Sequence, residues 1–290
     1  MRVHLYSVCR NEARILGFFF RHYLPWVDRF VIYDDGSDDD SNQIITSHPN
    51  TEVRRFLRTT PDSFDLSARQ LLNNCWKESR GKADWVVVTD IDEHLYHSDI
   101  KKYLLSCRSK GITVIPALGY QMITDEFPAA DEHLASTRMK GAQFSIMNKL
   151  GIFNPDLVKE TNFAVGRHEA EPIGLIKLPK QDELLLLHYK YLGFDYLIER
   201  NFSLREGRGA TDVQKGFGHH YFWDEEKYRE RWKFFESKLV NIALLGPEAW
   251  INYREPKWWR KSRKPRPWWK RLRDLFALVL PYIRGRSSRL

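Results

Sequence analysis

The sequence predicts an α/β fold built on a mixed, mainly parallel sheet flanked by helices, and three observations lead there. Short apolar, β-branched runs alternate with helically spaced stretches through roughly the first 90 residues. Residues 85–88, Trp-Val-Val-Val, form a continuous apolar run that suits a strand buried on both faces. Acidic clusters at 34–40 and 90–93 close two of the strand segments, and ligands of open α/β sheets bind at the carboxyl ends of strands.

Taken in order, residues 3–9 read as the first strand, followed by Arg10, Asn11 and Glu12. Residues 13–24 have helical spacing and stop at Pro25, which cannot continue a helix. A second strand at 29–33 runs into Asp34-Asp35-Gly36-Ser37, where glycine permits a tight turn and Asp or Ser can cap a helix starting near Asn42. A third strand is expected at 52–57, and a helix at 65–79 carries Arg69 into the fourth strand at 85–88. Four strands alternating with helices predict parallel pairing with right-handed crossovers. Beyond, 112–117 reads as a buried strand, 119–140 as irregular, 184–187 as a strand of four leucines ending at His188, and 195–205 and 226–245 as helices.

Composition bounds the function classes. With 42% apolar and 14% aromatic residues in 290, the chain has ample material for a core, which excludes global disorder. Cys9, Cys75 and Cys107 are odd in number and unpatterned, so they read as buried thiols in a reducing compartment, not a disulfide framework or metal cluster. The amino terminus passes directly into a strand pattern, and no secretory signal is expected. No run reaches the roughly 18 apolar residues of a membrane span. The net charge of +8 is local: residues 257–290 hold 12 Lys/Arg against Asp274 alone, +11, whereas the other 256 residues hold 34 basic against 37 acidic, −3. That tail pairs tryptophans with Lys/Arg ahead of an apolar stretch at 275–283, the composition of a basic amphipathic helix on an anionic membrane surface. Nucleic acid is the weaker alternative, because the apolar stretch would have no use there.

Asp90 and Asp92 stand two apart, and on extended backbone they would share one side of the strand. Such a pair can hold one divalent cation whose open positions take diphosphate oxygens. The same residues also read as a solvated turn. No G-x-G-x-x-G or G-x-x-x-x-G-K-[ST] occurs, which argues against a dinucleotide cofactor and a P-loop ATPase and leaves a metal as the cradle for phosphates. Carboxylates at 34 and 35 can accept hydrogen bonds from a ribose or a base N–H.

Val-Cys-Arg-Asn-Glu-Ala at 8–13, Tyr-Asp-Asp-Gly-Ser-Asp-Asp at 33–39 and Thr-Asp-Ile-Asp-Glu at 89–93 resemble the successive signatures of a family 2 type nucleotide-sugar glycosyltransferase with the GT-A fold. Asn-Lys-Leu-Gly-Ile-Phe at 148–153, Gly-Arg-His at 166–168, Leu-His-Tyr-Lys-Tyr-Leu at 187–192 and Gly-Phe-Gly-His-His-Tyr at 216–221 are similar to the family 2 like branch of bacterial polysaccharide and lipopolysaccharide clusters. The likeness spans residues 1–225. It implies a donor half at about 1–118 and an acceptor half at about 119–225; beyond it, pattern and composition give a helical extension at 226–256 and the membrane-associating tail at 257–290.

For the site, the resemblance implies nucleotide contacts at Arg10, Asn11 and Asp90, a uracil or ribose contact at Asp34 or Asp35, and Arg69 near the base or diphosphate. Asp90 and Asp92 would hold Mn²⁺ or Mg²⁺, with His188 as a late third ligand. Arg205, with Arg200 and Arg208, can neutralise a departing diphosphate or lie on a solvated face. His168, Glu169 and Glu171 are the candidates for the base that deprotonates the acceptor. The implied activity is metal-dependent transfer of a sugar from a UDP-sugar to a surface glycan or lipid-linked saccharide, with inversion, by a cytoplasmic protein peripheral on the inner face of the cytoplasmic membrane. The alternatives are a non-catalytic membrane-associated module of the same fold and a metal-dependent nucleotidyltransferase.

Overall fold

The computed structural model describes residues 1–260, as one compact unit, Met1–Pro256, and the start of a second at Lys257. Of the basic tail expected at 257–290 to meet a membrane, residues 261–290 lie outside the described residues. Among those residues no helix is long and apolar enough to cross a membrane.

The first half alternates as the sequence implies: β1 (Val3–Cys9), α1 (Ala13–Tyr23), β2 (Arg29–Asp34), α2 (Ser41–Ser47), β3 (Thr51–Arg55), α3 (Phe64–Leu72) and β4 (Trp85–Val88). β1 pairs in parallel with β2 and with β4, and β2 with β3, giving the order β3-β2-β1-β4. All four residues of β4 are buried, which is why its sequence is uniformly apolar. α1 turns Leu16, Phe19, Phe20 and Tyr23 inward, and Phe20 meets Phe30 of β2 with ring centroids 5.5 Å apart. α3 starts where the Ser63 hydroxyl accepts from the Leu66 N–H at 3.1 Å. The helix expected at 65–79 is α-helical to Leu72 and continues after a break as a 3₁₀ turn at Cys75–Ser79; at the break Asn73 Oδ1 accepts from the Thr161 hydroxyl and the Phe163 N–H.

The second half is mixed. It comprises β5 (Glu93–Tyr96), α4 (Ile100–Ser109), β6 (Val114–Thr124), α5 (Leu134–Thr137), β7 (Lys140–Gln143), β8 (Lys149–Phe153), β9 (Val158–Glu160), β10 (Ile173–Gly174), β11 (Leu185–Leu192), α6 (Phe194–Glu206), α7 (Ala210–Gln214), α8 (Glu225–Glu236) and β12 (Val240–Asn241). β8 joins the sheet antiparallel to both β4 and β6. β6 is longer than its apolar core suggested: all eleven residues are buried, and it changes partners along its length, from β8 to β7 on one side, with β11 parallel on the other. β11 also runs past its leucines to Leu192, so His188 sits inside the strand, opposite Glu93 of β5 and Gln121 of β6, and not at its end.

Residues 226–256 pack as part of the main body. The helix ends at Glu236, β12 pairs with β7, and the Tyr253 hydroxyl donates to the Asn148 side chain and lies 3.1 Å from the Gly119 carbonyl. The sheet thus has one property that positions a site: neighbours lie on both sides of β1, so the chain direction out of the sheet reverses between β1 and β4. That reversal opens a crevice at their carboxyl ends.

Candidate active site

A cleft of about 770 Å³ occupies that crevice. Val8, Cys9, Arg10 and Glu12 enter it from the end of β1, and the acidic turn 90–93 from the end of β4. Its far walls come from α3, the loop before β10, β11, α6, residues 216–223 and α8.

The acidic turn is the centre. The strand ends at Val88, and the Glu93 N–H donates to the Asp90 carbonyl at 3.1 Å, closing a tight turn. Asp90 and Asp92 are therefore not alternate residues of an extended strand, and their carboxylates face different partners. Asp92 is buried. It accepts from Arg200 Nη1 at 2.8 Å and lies 3.2 Å from His188 Nε2. Burial opposes its charge, but Arg200 and then His188 outweigh that and hold the carboxyl well below the usual carboxylate range. Arg200 in turn forks onto both oxygens of buried Glu12. Burial, only partly offset by Arg200, pushes Glu12 up to about 6.

His188 is held by Gln121. The Gln121 Nε2 donates to the His188 carbonyl at 3.0 Å, which turns its Oε1 to His188 Nδ1 at 2.7 Å. An amide oxygen only accepts, so Nδ1 carries a proton, and Nε2 is the ring atom that faces the Asp92 carboxylate. At 3.2 Å, Nε2 meets that carboxylate either through its own proton or through a bound cation. An imidazole held by an oxygen acceptor on one N–H, with its other nitrogen turned to the metal, is the usual arrangement of a metal-bound histidine. Asp92 and His188 therefore fit neighbouring positions on one cation. Asp90 does not complete a trio with them: among the described residues no group of three His, Cys, Asp or Glu is placed to hold a metal.

Asp90 instead accepts from Arg167 Nη2 at 2.9 Å, with Lys149 Nζ at 3.4 Å. Beneath it, fully buried Glu93 lies between Lys149 Nζ at 2.5 Å and Arg167 Nη2 at 2.6 Å. Burial again opposes the charge, and Arg167 followed by Lys149 overcomes it, so Glu93 titrates far below its usual range. Arg167 also donates to the Val88 carbonyl at 2.8 Å, and it reaches this position with φ at 59°, a left-handed conformation that side chains rarely adopt. Gly166 before it is also left-handed, and a β-carbon there would stand 2.5 Å from His168 Nε2.

The other expected residues divide. Arg10 and Arg69 line the cleft. Asn11, Asp34 and Asp35 are not among its lining residues. Asp34 accepts from the N–H groups of Gly36 and Ser37, and Asn11 Oδ1 accepts from the Asp38 N–H. Asp35 is gripped by Arg58 through Nε at 3.0 Å and Nη2 at 2.5 Å. Arg205 stacks on Phe222 and is not among the lining residues, whereas Arg200 and Arg208 are. Of the three base candidates, His168 alone lines the cleft; Glu169 and Glu171 are exposed outside it, because the pairing of Phe163 with Ala170 folds that segment back. His168 Nδ1 lies 2.8 Å from the Ile146 carbonyl, which fixes its proton there and leaves the Nε2 lone pair free to accept. Its ring is accessible to solvent from the cleft; desolvation by the cleft walls and then Lys149 lower this imidazole from its usual range, so it is neutral at pH 7.

Four site residues escaped the sequence reading: Glu12, Lys149, Arg167 and Lys190. The signal was present for two of them. Lys149 opens the buried strand Lys-Leu-Gly-Ile-Phe, and Lys190 interrupts the apolar run of β11, and a cation inside a buried strand must face a partner or a ligand.

No protein-family model matches the chain, and no curated protein does. Solved structures similar to it include S. aureus TarS, at 12% identity and a TM-score of 0.40, over 71% of this chain and 64% of that one. TarS in complex with UDP-GlcNAc aligns over 71% of this chain and 66% of that one, at 11% identity and a TM-score of 0.36. Glucosyl-3-phosphoglycerate synthase from Mycobacterium tuberculosis, in complex with Mn²⁺, UDP-glucose and phosphoglyceric acid, aligns over 41% of this chain and 44% of that one, at 18% identity and a TM-score of 0.29. The chain spans less than two thirds of the length of these structures.

The Glu93 cluster generates the first prediction. Its carboxyl titrates lower in the folded than in the unfolded chain, so its stabilisation is full above about pH 4.3 and fades as pH falls toward the folded value. Urea unfolding should show wild-type stability dropping as pH falls below about 5. Glu93→Gln leaves two buried cations short of their partner and should cost about 3 kcal/mol at pH 7, with a flatter acid limb; an unchanged midpoint would mean the cluster is energetically neutral.

Proposed function

We propose that the protein is a nucleotide-sugar glycosyltransferase that moves a sugar from a UDP-sugar to a saccharide acceptor. The observation that carries this reading is the charge arrangement of the cleft: at the switch point of the sheet, eight Lys/Arg and five Asp/Glu line one cavity. A surplus of cations around an acidic turn suits a ligand with several negative charges, and the sequence signatures at 8–13, 33–39 and 89–93 all end at this edge. Val8, Phe64, Ala68 and Leu72 give the cleft an apolar side beside Arg69, suited to a nucleobase.

Asp92 and His188 are the residues that would hold Mn²⁺ or Mg²⁺, with diphosphate and water filling its remaining positions. Bound there, the metal would supply positive charge to the departing diphosphate. Arg200 donates to the same Asp92 oxygen that faces His188, so the guanidinium would share that carboxylate with the cation. In the transfer, the anomeric C–O bond breaks with its electron pair going to the diphosphate, the acceptor oxygen bonds to the anomeric carbon, and the hydroxyl proton goes to a base. Among the three candidates, His168 has the free Nε2 and the position on the cleft. Inversion, a surface-glycan or lipid-linked acceptor, and peripheral attachment to the cytoplasmic membrane through the tail complete the proposal; the charge split of the sequence supports the last of these.

Three outcomes test it. His188→Ala should raise the Mn²⁺ concentration needed both for activity and for Mn²⁺ binding by electron paramagnetic resonance in the presence of UDP, and Asp92→Asn should be more severe. An unchanged Mn²⁺ requirement in His188→Ala would make it a core histidine. His168→Ala should lower turnover by about 100-fold or more while UDP affinity stays put, whereas Glu169→Gln and Glu171→Gln should remain near wild type; the opposite ranking would move the base to a carboxylate. A chain ending at Pro256 should keep UDP binding and stop sedimenting with anionic liposomes, and continued sedimentation would sink the anchor.

A further inference from the structure

Every buried cation at the centre of the cleft has a carboxylate partner, with one exception. Lys149 and Arg167 share Glu93, Arg200 spans Glu12 and Asp92, and Arg208 pairs with Asp65. Lys190 is 8% exposed and lines the same cleft, yet among the described residues its ammonium has no carboxylate at ion-pair distance. Its polar contact is with His220 Nε2 at 2.9 Å, and it sits 4.4 Å from the centre of the Tyr221 ring. An ammonium only donates, so His220 Nε2 accepts and that ring is neutral. Neither partner balances the charge.

A buried cation without a counter-ion is costly unless a ligand supplies one. Lys190 stands two residues beyond His188 on β11, and both side chains line the cleft. The carboxylates nearest this edge, Asp92 and Glu12, are already engaged by Arg200. A negative charge brought by a ligand to a point next to the Asp92–His188 edge would balance this ammonium.

We propose that Lys190 binds the terminal phosphate of the nucleoside diphosphate, and so makes the site discriminate a diphosphate from a monophosphate. The inference rests on the nucleotide-sugar reading and extends it to a residue nothing else assigns. In the transfer, Lys190 keeps its proton; as the anomeric C–O bond breaks, the electron pair stays on the terminal phosphate oxygen and the ammonium stabilises the charge left there. Tyr221 and His220 act as positioning residues that wall the ammonium toward the phosphate.

Calorimetric titration of UDP and UMP, each with and without Mn²⁺, into wild type, Lys190→Gln, Lys190→Met and Lys190→Arg tests this. The loss of a charge-assisted hydrogen bond predicts about a tenfold or greater weakening of UDP binding in Lys190→Gln, UMP affinity within about twofold of wild type on the same scale of argument, and substantial recovery in Lys190→Arg. Lys190→Met, close in volume, gives the same comparison should the glutamine variant fail to fold. UDP binding unchanged in the neutral variants, or UMP weakened as much as UDP, overturns the assignment to Lys190 while leaving the nucleotide-sugar reading in place. Wild type binding neither nucleotide overturns that reading, and this inference with it.

Discussion

The carboxylate of Glu93, buried between Arg167 and Lys149, is the constraint on which the site depends. It joins three parts of the chain that are distant in sequence: the turn after β4, the start of β8 and the loop before β10. An ionised group at 1% exposure is tolerable only with its charge matched and its oxygens hydrogen-bonded. Both conditions are met. The Asp90 N–H also donates to Glu93 at 3.1 Å, and Arg167 ties back to the Val88 carbonyl. Satisfying this cluster requires Arg167 to take a left-handed backbone, and that same turn carries His168 onto the cleft while leaving Glu169 outside it.

A second buried network, Glu12–Arg200–Asp92, performs the equivalent task on the other wall. It fastens α6 to the ends of β1 and β4 and fixes the direction of the Asp92 carboxylate. Because Arg200 and His188 meet the same carboxylate oxygen, Asp92 is compensated from two sides. These two networks and the Arg208–Asp65 pair balance most of the buried charge of the cleft, as the cost of burying charge requires.

Much of the first half of the fold was legible in the sequence because its signals are local. β1, β2 and β4 announce themselves as apolar runs, Pro25 stops α1, and the acidic clusters mark strand ends. Asp92 and His188 were named from the same patterns and the family resemblance, and the fold brings them to 3.2 Å. Asp90 shows the limit of spacing rules. The i, i+2 argument holds for a strand, but the backbone turns at exactly the residues to which it was applied. β6 and β11 were cut short for a related reason. Gln121, His188 and Lys190 look polar in sequence, yet they continue buried strands because they face one another or the cleft and not the apolar core.

By itself the sequence determined the alternation of strands and helices, the edge of the sheet where chemistry would gather, and the concentration of positive charge in the tail, since each depends on neighbours along the chain. Only the tertiary structure decided which charges pair. Glu12 meets Arg200 across 188 residues, Glu93 meets Arg167 across 74, and the Lys190 ammonium meets His220 and not a carboxylate among the described residues. Pairing is set by distance and burial in three dimensions, where a charge's energy depends on what surrounds it and not on what precedes it.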